Sequence, residues 1–209
     1  MSASTIAEGP EPFDSRDSAA HANLDRDSRL NVSQKPYLTG VILTLGSILT
    51  FFSALISAYI VRRGSTNEDW KHFATPHLLW TNTAILIASS TALLYARRRF
   101  LANDPAGFRR WCGAALILGF FFAAGQALAW RELAAAGTLL NSDPGASFYY
   151  LITAGHVACV CGGLIALLSI IIRAKQRGLS RSVVSSISTY WHSVVGLWIF
   201  LFLLLVFGP

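Results

Sequence analysis

From Ser193 to Pro209 the chain carries no charged residue, and residues 194–207 are almost wholly Leu, Val, Ile, Phe and Trp. Backbone that enters hydrocarbon must satisfy its own N–H and C=O groups, so an apolar run of about 20 residues is confined to a helix crossing the bilayer. The stretch is therefore read as a membrane span. Its entrance is Tyr190, Trp191 and His192, with Trp198 two turns further along. Two amphipathic aromatics at headgroup depth anchor a helix axially. A plain interfacial belt explains Tyr190 and Trp191 and leaves His192 over.

Four more apolar runs precede this one, giving expected spans at about 38–61, 76–96, 111–130, 148–172 and 187–207. The expected fold class is all-α, a polytopic membrane protein built as a five-transmembrane-helix bundle. Composition agrees, at 53% hydrophobic and 13% charged residues with a mean hydropathy of +0.47, more apolar than one soluble core of this length requires. Residues 1–36 are rich in Ser, Ala, Asp, Arg, Glu, Gly and Pro, cannot bury enough apolar surface to offset ordering, and are expected to form a disordered tail. The tail does not open with a basic segment followed by a short apolar one, so no cleaved signal peptide is expected. Cys112, Cys159 and Cys161 all lie in or beside spans, an odd set that argues against a disulfide framework.

The net charge of +6 resembles a nucleic-acid signal until its sources are placed. Twelve of the Lys and Arg residues fall on one side, in 26–35, 97–110 and 173–181, against four on the other, Arg62, Arg63, Lys71 and Arg131. By the positive-inside rule the N-terminus is cytoplasmic and Pro209 lies outside, with no nucleic-acid partner implied. Small residues recur four apart in several spans: Ser53 with Ser57 and Ala54 with Ala58 in the first, Gly119 with Ala123 in the third. The fourth carries two rows, Gly155, Cys159, Gly163 and Ala158, Gly162, Ala166. Such rows let backbones approach closely, so a tight bundle with the fourth span central is expected.

Ionisable groups inside spans usually mark function, and here all eleven carboxylates lie outside the expected spans. What remains is His156, His192, Gln126 and Asn82, with His77 at a span edge. His156 and His192 enter from opposite faces, and a rise of 1.5 Å per residue leaves their depths roughly 10–15 Å apart, too far for one haem iron. His156 and Cys159 share a helix face, but no third or fourth ligand converges on them to make a soft-metal site. On residues alone the chain is a bundle lacking a catalytic centre.

Several segments in order resemble subunit III of the haem-copper cytochrome c oxidases, in the shorter bacterial form. They are SALISAYIVRRG, LLWTNTAILIASSTALLYARR, GQALAWRELAAAG, LITAGHVACVCGGLIALL and the closing YWHSVVGLWIFLF, together covering 35–209. The resemblance implies an accessory, redox-silent subunit in a bacterial plasma membrane, contributing to aerobic electron transport through its complex. It implies oxidase subunits I and II and phospholipids as partners, no cofactor in this chain, and haem and copper in the partner subunits. It carries over His156, Trp191 and His192 as buried hydrogen-bonding positions and Arg63 and Arg131 as headgroup contacts. The chain departs from the family pattern at Ile48 and Leu94, where glutamates are usual, and at Cys159, Ser193 and Val195. A carboxylate-dependent role is not implied for it. A quinol oxidase or nitric oxide reductase with an equivalent subunit, and a free-standing scaffold, are the alternatives.

Overall fold

The computed structural model describes residues 15–64, 78–139, 143–176 and 179–207, with side chains from Tyr37 onward except at 175 and 176. They form five α-helices: α1 (Ser15–Gly64), α2 (Leu78–Leu101), α3 (Pro105–Ala135), α4 (Pro144–Gln176) and α5 (Arg181–Phe207). Each contains a stretch long and apolar enough to span a membrane, as the five hydrophobic runs require. His77 and the expected loop residues Asp69, Trp70 and Lys71 lie outside the described residues.

The chain divides into two units, Met1–Pro36 and Tyr37–Pro209, and the packed core belongs to the second. Where composition predicts a disordered tail, residues 15–36 are helical as the first part of α1. Between Ser15 and Lys35 there is no Gly or Pro to stop a helix, and Ala, Leu, Arg, Gln and Lys propagate one readily.

The helices outrun the apolar stretches because capping chemistry sets their ends. Asp104 caps α3 by accepting from Gly107 N at 2.9 Å, with Pro105 in the first turn. Asp143 does the same for α4, accepting from Ala146 N at 2.9 Å ahead of Pro144. An Asx cap followed by Pro is a strong start signal, since Pro lacks only an N–H that would be orphaned there. α2 closes on Asn103 at φ 55°, with Asp104 N bonded to Arg99 O at 3.0 Å and Asn103 N to Phe100 O at 3.1 Å. α3 closes the same way on Gly137 at φ 84°, with Thr138 N on Leu133 O and Gly137 N on Ala134 O. These paired bonds are Schellman caps. At 102–104 one cap ends α2 and the next residue starts α3, so the chain reverses in three residues and α3 lies back along α2.

α2 lies against α3 and α5, and α4 lies against the same two, so helices α2 to α5 close a four-membered ring. Leu86, Phe122, Val160, Trp191 and Trp198 fill its interior. α1 stands outside this ring and reaches it through large side chains. Phe52, fully buried, meets Ile152 and Leu201, and Tyr59 packs edge-on against Phe148 at 5.8 Å. The close approach expected through Ser53, Ala54, Ser57 and Ala58 does not occur, because all four are exposed. α4 does meet α1, α3 and α5, using its Gly155, Cys159, Gly163 row, while Ala158 and Gly162 of the second row are exposed.

The tightest passage in the ring is filled by Trp191. A Cβ on Gly119 would stand 2.8 Å from its indole, and one on Gly163 only 2.7 Å from the other edge of the same ring. Both are closer than carbon atoms pack, so α3 and α4 can flank α5 here only because each presents a glycine. Gly119→Ala and Gly163→Ala are expected to destabilise the chain by about 1–3 kcal/mol, the usual cost of overpacking. Gly113→Ala, with nothing within 4 Å of its Cβ, gains helix propensity and is expected to be neutral or stabilising. Thermal unfolding of the three variants in detergent checks this; a Gly163→Ala variant as stable as Gly113→Ala would show that the indole is free to move.

Candidate functional site

The buried polar groups form a seam through the ring, and most are spent joining one helix to another. Trp198 on α5 donates its indole N–H to Thr83 Oγ1 on α2 at 3.0 Å, and Thr83 donates to Leu79 O within its own helix. Ser89 on α2 donates to Ala115 O on α3 at 2.8 Å. Trp130 on α3 donates to Thr153 Oγ1 on α4 at 3.0 Å, and the Tyr150 hydroxyl answers with bonds to the Trp130 and Thr138 carbonyls. Gln126 Nε2 approaches the Tyr149 hydroxyl at 3.4 Å, and Tyr190 donates to Cys159 O at 2.9 Å. Asn82 lies directly over Gly125, where a Cβ would fall 2.1 Å from its carboxamide oxygen. Hydroxyls and small residues are what helix pairs in lipid use for attraction, since burial of apolar surface supplies little there.

His156 is fully buried, with Trp198 at 4.8 Å between ring centroids and Phe122 edge-on at 5.7 Å. Neither ring nitrogen has a hydrogen-bond partner among the described residues. The imidazole is held as an aromatic ring, by stacking. Trp191 is 1% exposed and its Nε1 is likewise unpartnered among the described residues. Its burial does not fit an interfacial anchor, and Trp198, at 0% exposure, is buried as well. His192 Nδ1 lies 2.6 Å from Ser90 Oγ of α2.

The two histidines thus find different neighbours. A shared haem does not fit them, because Trp198 and Phe122 occupy the surroundings of His156 while His192 turns to Ser90. Among the described residues no group of three or more His, Cys, Asp or Glu is placed to hold a metal ion. Cys112, Cys159 and Cys161 are free thiols.

At the ring's edge Arg63 ends α1 with its guanidinium 5.7 Å from the centre of the Tyr59 ring and a hydrogen bond to that residue's hydroxyl. Arg131 is exposed one residue beyond Trp130. Sequence reasoning missed Thr83, Ser89, Ser90, Tyr149 and Thr153. The available signal was the placement of hydroxyls one or two turns apart on single helix faces, Thr83 with Ser90 and Tyr149 with Thr153.

The fold and this seam define a class: a multi-pass helical membrane protein with several of its internal hydroxyl, amide and indole groups joining one helix to another. The family model for cytochrome c oxidase subunit III matches residues 15–208. A probable cytochrome c oxidase subunit 3 of Nocardia farcinica is 34% identical over 174 residues, covering 80% of this chain and 86% of the relative. One of Mycobacterium tuberculosis is 32% identical over 191 residues, with 86% and 93% covered. The cytochrome c oxidase subunit 3 of Synechocystis is 33% identical over 173 residues, with 79% and 72% covered. The chain belongs to the cytochrome c oxidase subunit III family, whose members are membrane subunits of a respiratory oxidoreductase.

The seam's energetics are open to direct measurement. Trp198→Phe removes the bond to Thr83 and Tyr190→Phe the bond to Cys159 O, and each is expected to cost about 0.6–2 kcal/mol. Cys159→Ala is expected to lie within about 0.5 kcal/mol of wild type, because Tyr190 reaches the carbonyl and not the thiol. Thermal unfolding in one detergent ranks the three; a Cys159→Ala loss as large as that of Trp198→Phe would contradict the assignment.

Proposed function

We propose that the chain is the accessory, redox-silent subunit III of a bacterial haem-copper terminal oxidase, packing on subunit I and retaining phospholipid at its membrane face. Haem and copper belong to the partner subunits, and this chain supports oxygen reduction by holding the assembly together. The observation that carries this reading is the state of α1. Of its described side chains only Phe52 and Tyr59 are buried, while Ile42, Leu43, Leu49, Phe51, Ile60 and Val61 are exposed. A span with so little partner inside its own chain has its packing completed by another subunit or by lipid.

An apolar cleft of about 460 Å³ runs between α1 and α5, lined by Leu49, Phe52, Ile56, Ile60, Leu197 and Phe200. It follows α1 toward Val61, so an acyl chain lying in it would bring its phosphate to Arg63. Arginines at helix ends reach phosphate by extending their aliphatic stems along apolar surface. Arg131, at the end of α3, would serve a second headgroup on the same face. The charge asymmetry of the loops supports a cytoplasmic N-terminus and an outward Pro209.

Mild-detergent purification of the tagged chain from its native membrane tests the proposal. A haem-bearing many-span subunit is expected to co-purify, with a reduced-minus-oxidised haem spectrum that disappears when that subunit is stripped away. A chain that emerges alone, or with a spectrum it retains by itself, would overturn the reading; a partner that accepts quinol or reduces nitric oxide would reassign the complex.

A further inference from the structure

The positive charge of the α2–α3 hairpin is used neither by the seam nor by the outward arginines. Residues 97–110 hold five arginines, Arg97, Arg98, Arg99, Arg109 and Arg110, against one carboxylate, Asp104. All five are exposed. Between the helices lies an open cavity of about 530 Å³, lined by Arg99, Asp104, Gly107, Arg110, Trp111 and Ala114.

We propose that this cavity is an anionic phospholipid site, in which the headgroup phosphate meets Arg110 and Arg99 and the first acyl carbons rest on Trp111 and Ala114. Three features argue for lipid. The lining is two-faced, cationic toward the helix ends and apolar one turn further into the span. Its depth is marked by Tyr95 and Trp111, stacked at 5.0 Å and exposed, with the Arg98 guanidinium 5.6 Å from the Tyr95 ring centre. Exposed aromatics of this kind sit at headgroup level, and basic pockets between spans at that level recruit anionic lipid.

The third feature is rigidity. The back-to-back caps at Asn103 and Asp104 fix the angle between the helices, so the arginines are presented by structure and not by a loose loop. Gly107 makes room for the arrangement: a Cβ there would come 2.2 Å from the Asp104 carboxylate and 3.1 Å from Arg99 Cδ. Asp104 is occupied by the Gly107 N–H at 2.9 Å and by Arg99 at 3.6 Å. Its charge offsets only part of the cluster. The site lies at the opposite helix ends from Arg63 and Arg131 and does not depend on which oxidase the chain joins.

The test uses the full-length chain in mixed nanodiscs of phosphatidylcholine and phosphatidylglycerol, with retained lipid counted by mass spectrometry after transfer to detergent. Wild type is expected to enrich phosphatidylglycerol. Arg99→Gln with Arg110→Gln is expected to lower its retention about fivefold for each arginine removed, the contribution of one surface arginine to anionic-lipid attraction. The charge-matched pair Arg173→Gln with Arg181→Gln removes the same charge away from the cavity and is expected to lower it less. Asp104→Asn keeps an N-cap residue while deleting the opposing charge, so retention should rise, a gain that misfolding cannot mimic. Equal retention of the two lipids, or equal loss in both double variants, would overturn the proposal. So would displacement when chloride is exchanged for inorganic phosphate at equal ionic strength, which would mark a free-anion site. A carbodiimide cross-link from the Arg110→Lys variant to a carboxylate of a neighbouring subunit in the native membrane, with no anionic lipid retained, would make the hairpin a protein interface and refute it as well.

Discussion

Trp191 is the contact on which the rest of the bundle depends. Its indole spans the gap between Gly119 of α3 and Gly163 of α4, so one side chain sets the spacing of three helices at once. In water such a contact would be one of many driven by apolar burial. In lipid the surrounding chains are as apolar as the indole, and what favours the assembled state is shape: two glycines open a slot that lipid tails cannot fill as closely. The hydroxyl seam then fixes the rotation of each helix about that slot. Trp198 reaches Thr83, Ser90 meets His192 and Trp130 meets Thr153, each pairing correct for only one helix orientation.

The same economy governs where the titratable groups lie. Its carboxylates lie at helix ends or outside the spans, and two of them, Asp104 and Asp143, are spent as caps. His156 is lodged between aromatic rings, and Thr83, Ser89, Gln126 and Thr153 bridge helices. The apolar flank of α1, the cleft between α1 and α5, and the arginine-rich hairpin are exposed surfaces of the chain.

Much of the helical plan was legible because its causes are local. The Asp104–Pro105 and Asp143–Pro144 pairs set the helix starts locally, so α3 and α4 begin ahead of the apolar runs they contain. Asn103 and Gly137 likewise mark helix ends through the left-handed conformation each adopts. The site was less legible. Trp191 looks like a headgroup anchor because aromatics near a span's entrance commonly are, and only its neighbours show that it faces inward. Ser53, Ala54, Ser57 and Ala58 have the spacing of a helix contact yet face away from the ring, since a motif for close packing specifies no partner.

The sequence by itself determined five spans, an all-helical backbone, the capped α2–α3 reversal and membership in the subunit III family. Those follow from hydropathy, backbone hydrogen bonding and residue order, which act within one segment at a time. Tertiary structure decided that four helices close a ring with α1 outside it, that His156 is held by stacking, and that Arg99 and Arg110 share a cavity with Trp111. The physical reason is the solvent: when every face of a helix is apolar, hydrophobicity no longer distinguishes inside from outside, and only the fit between helices does.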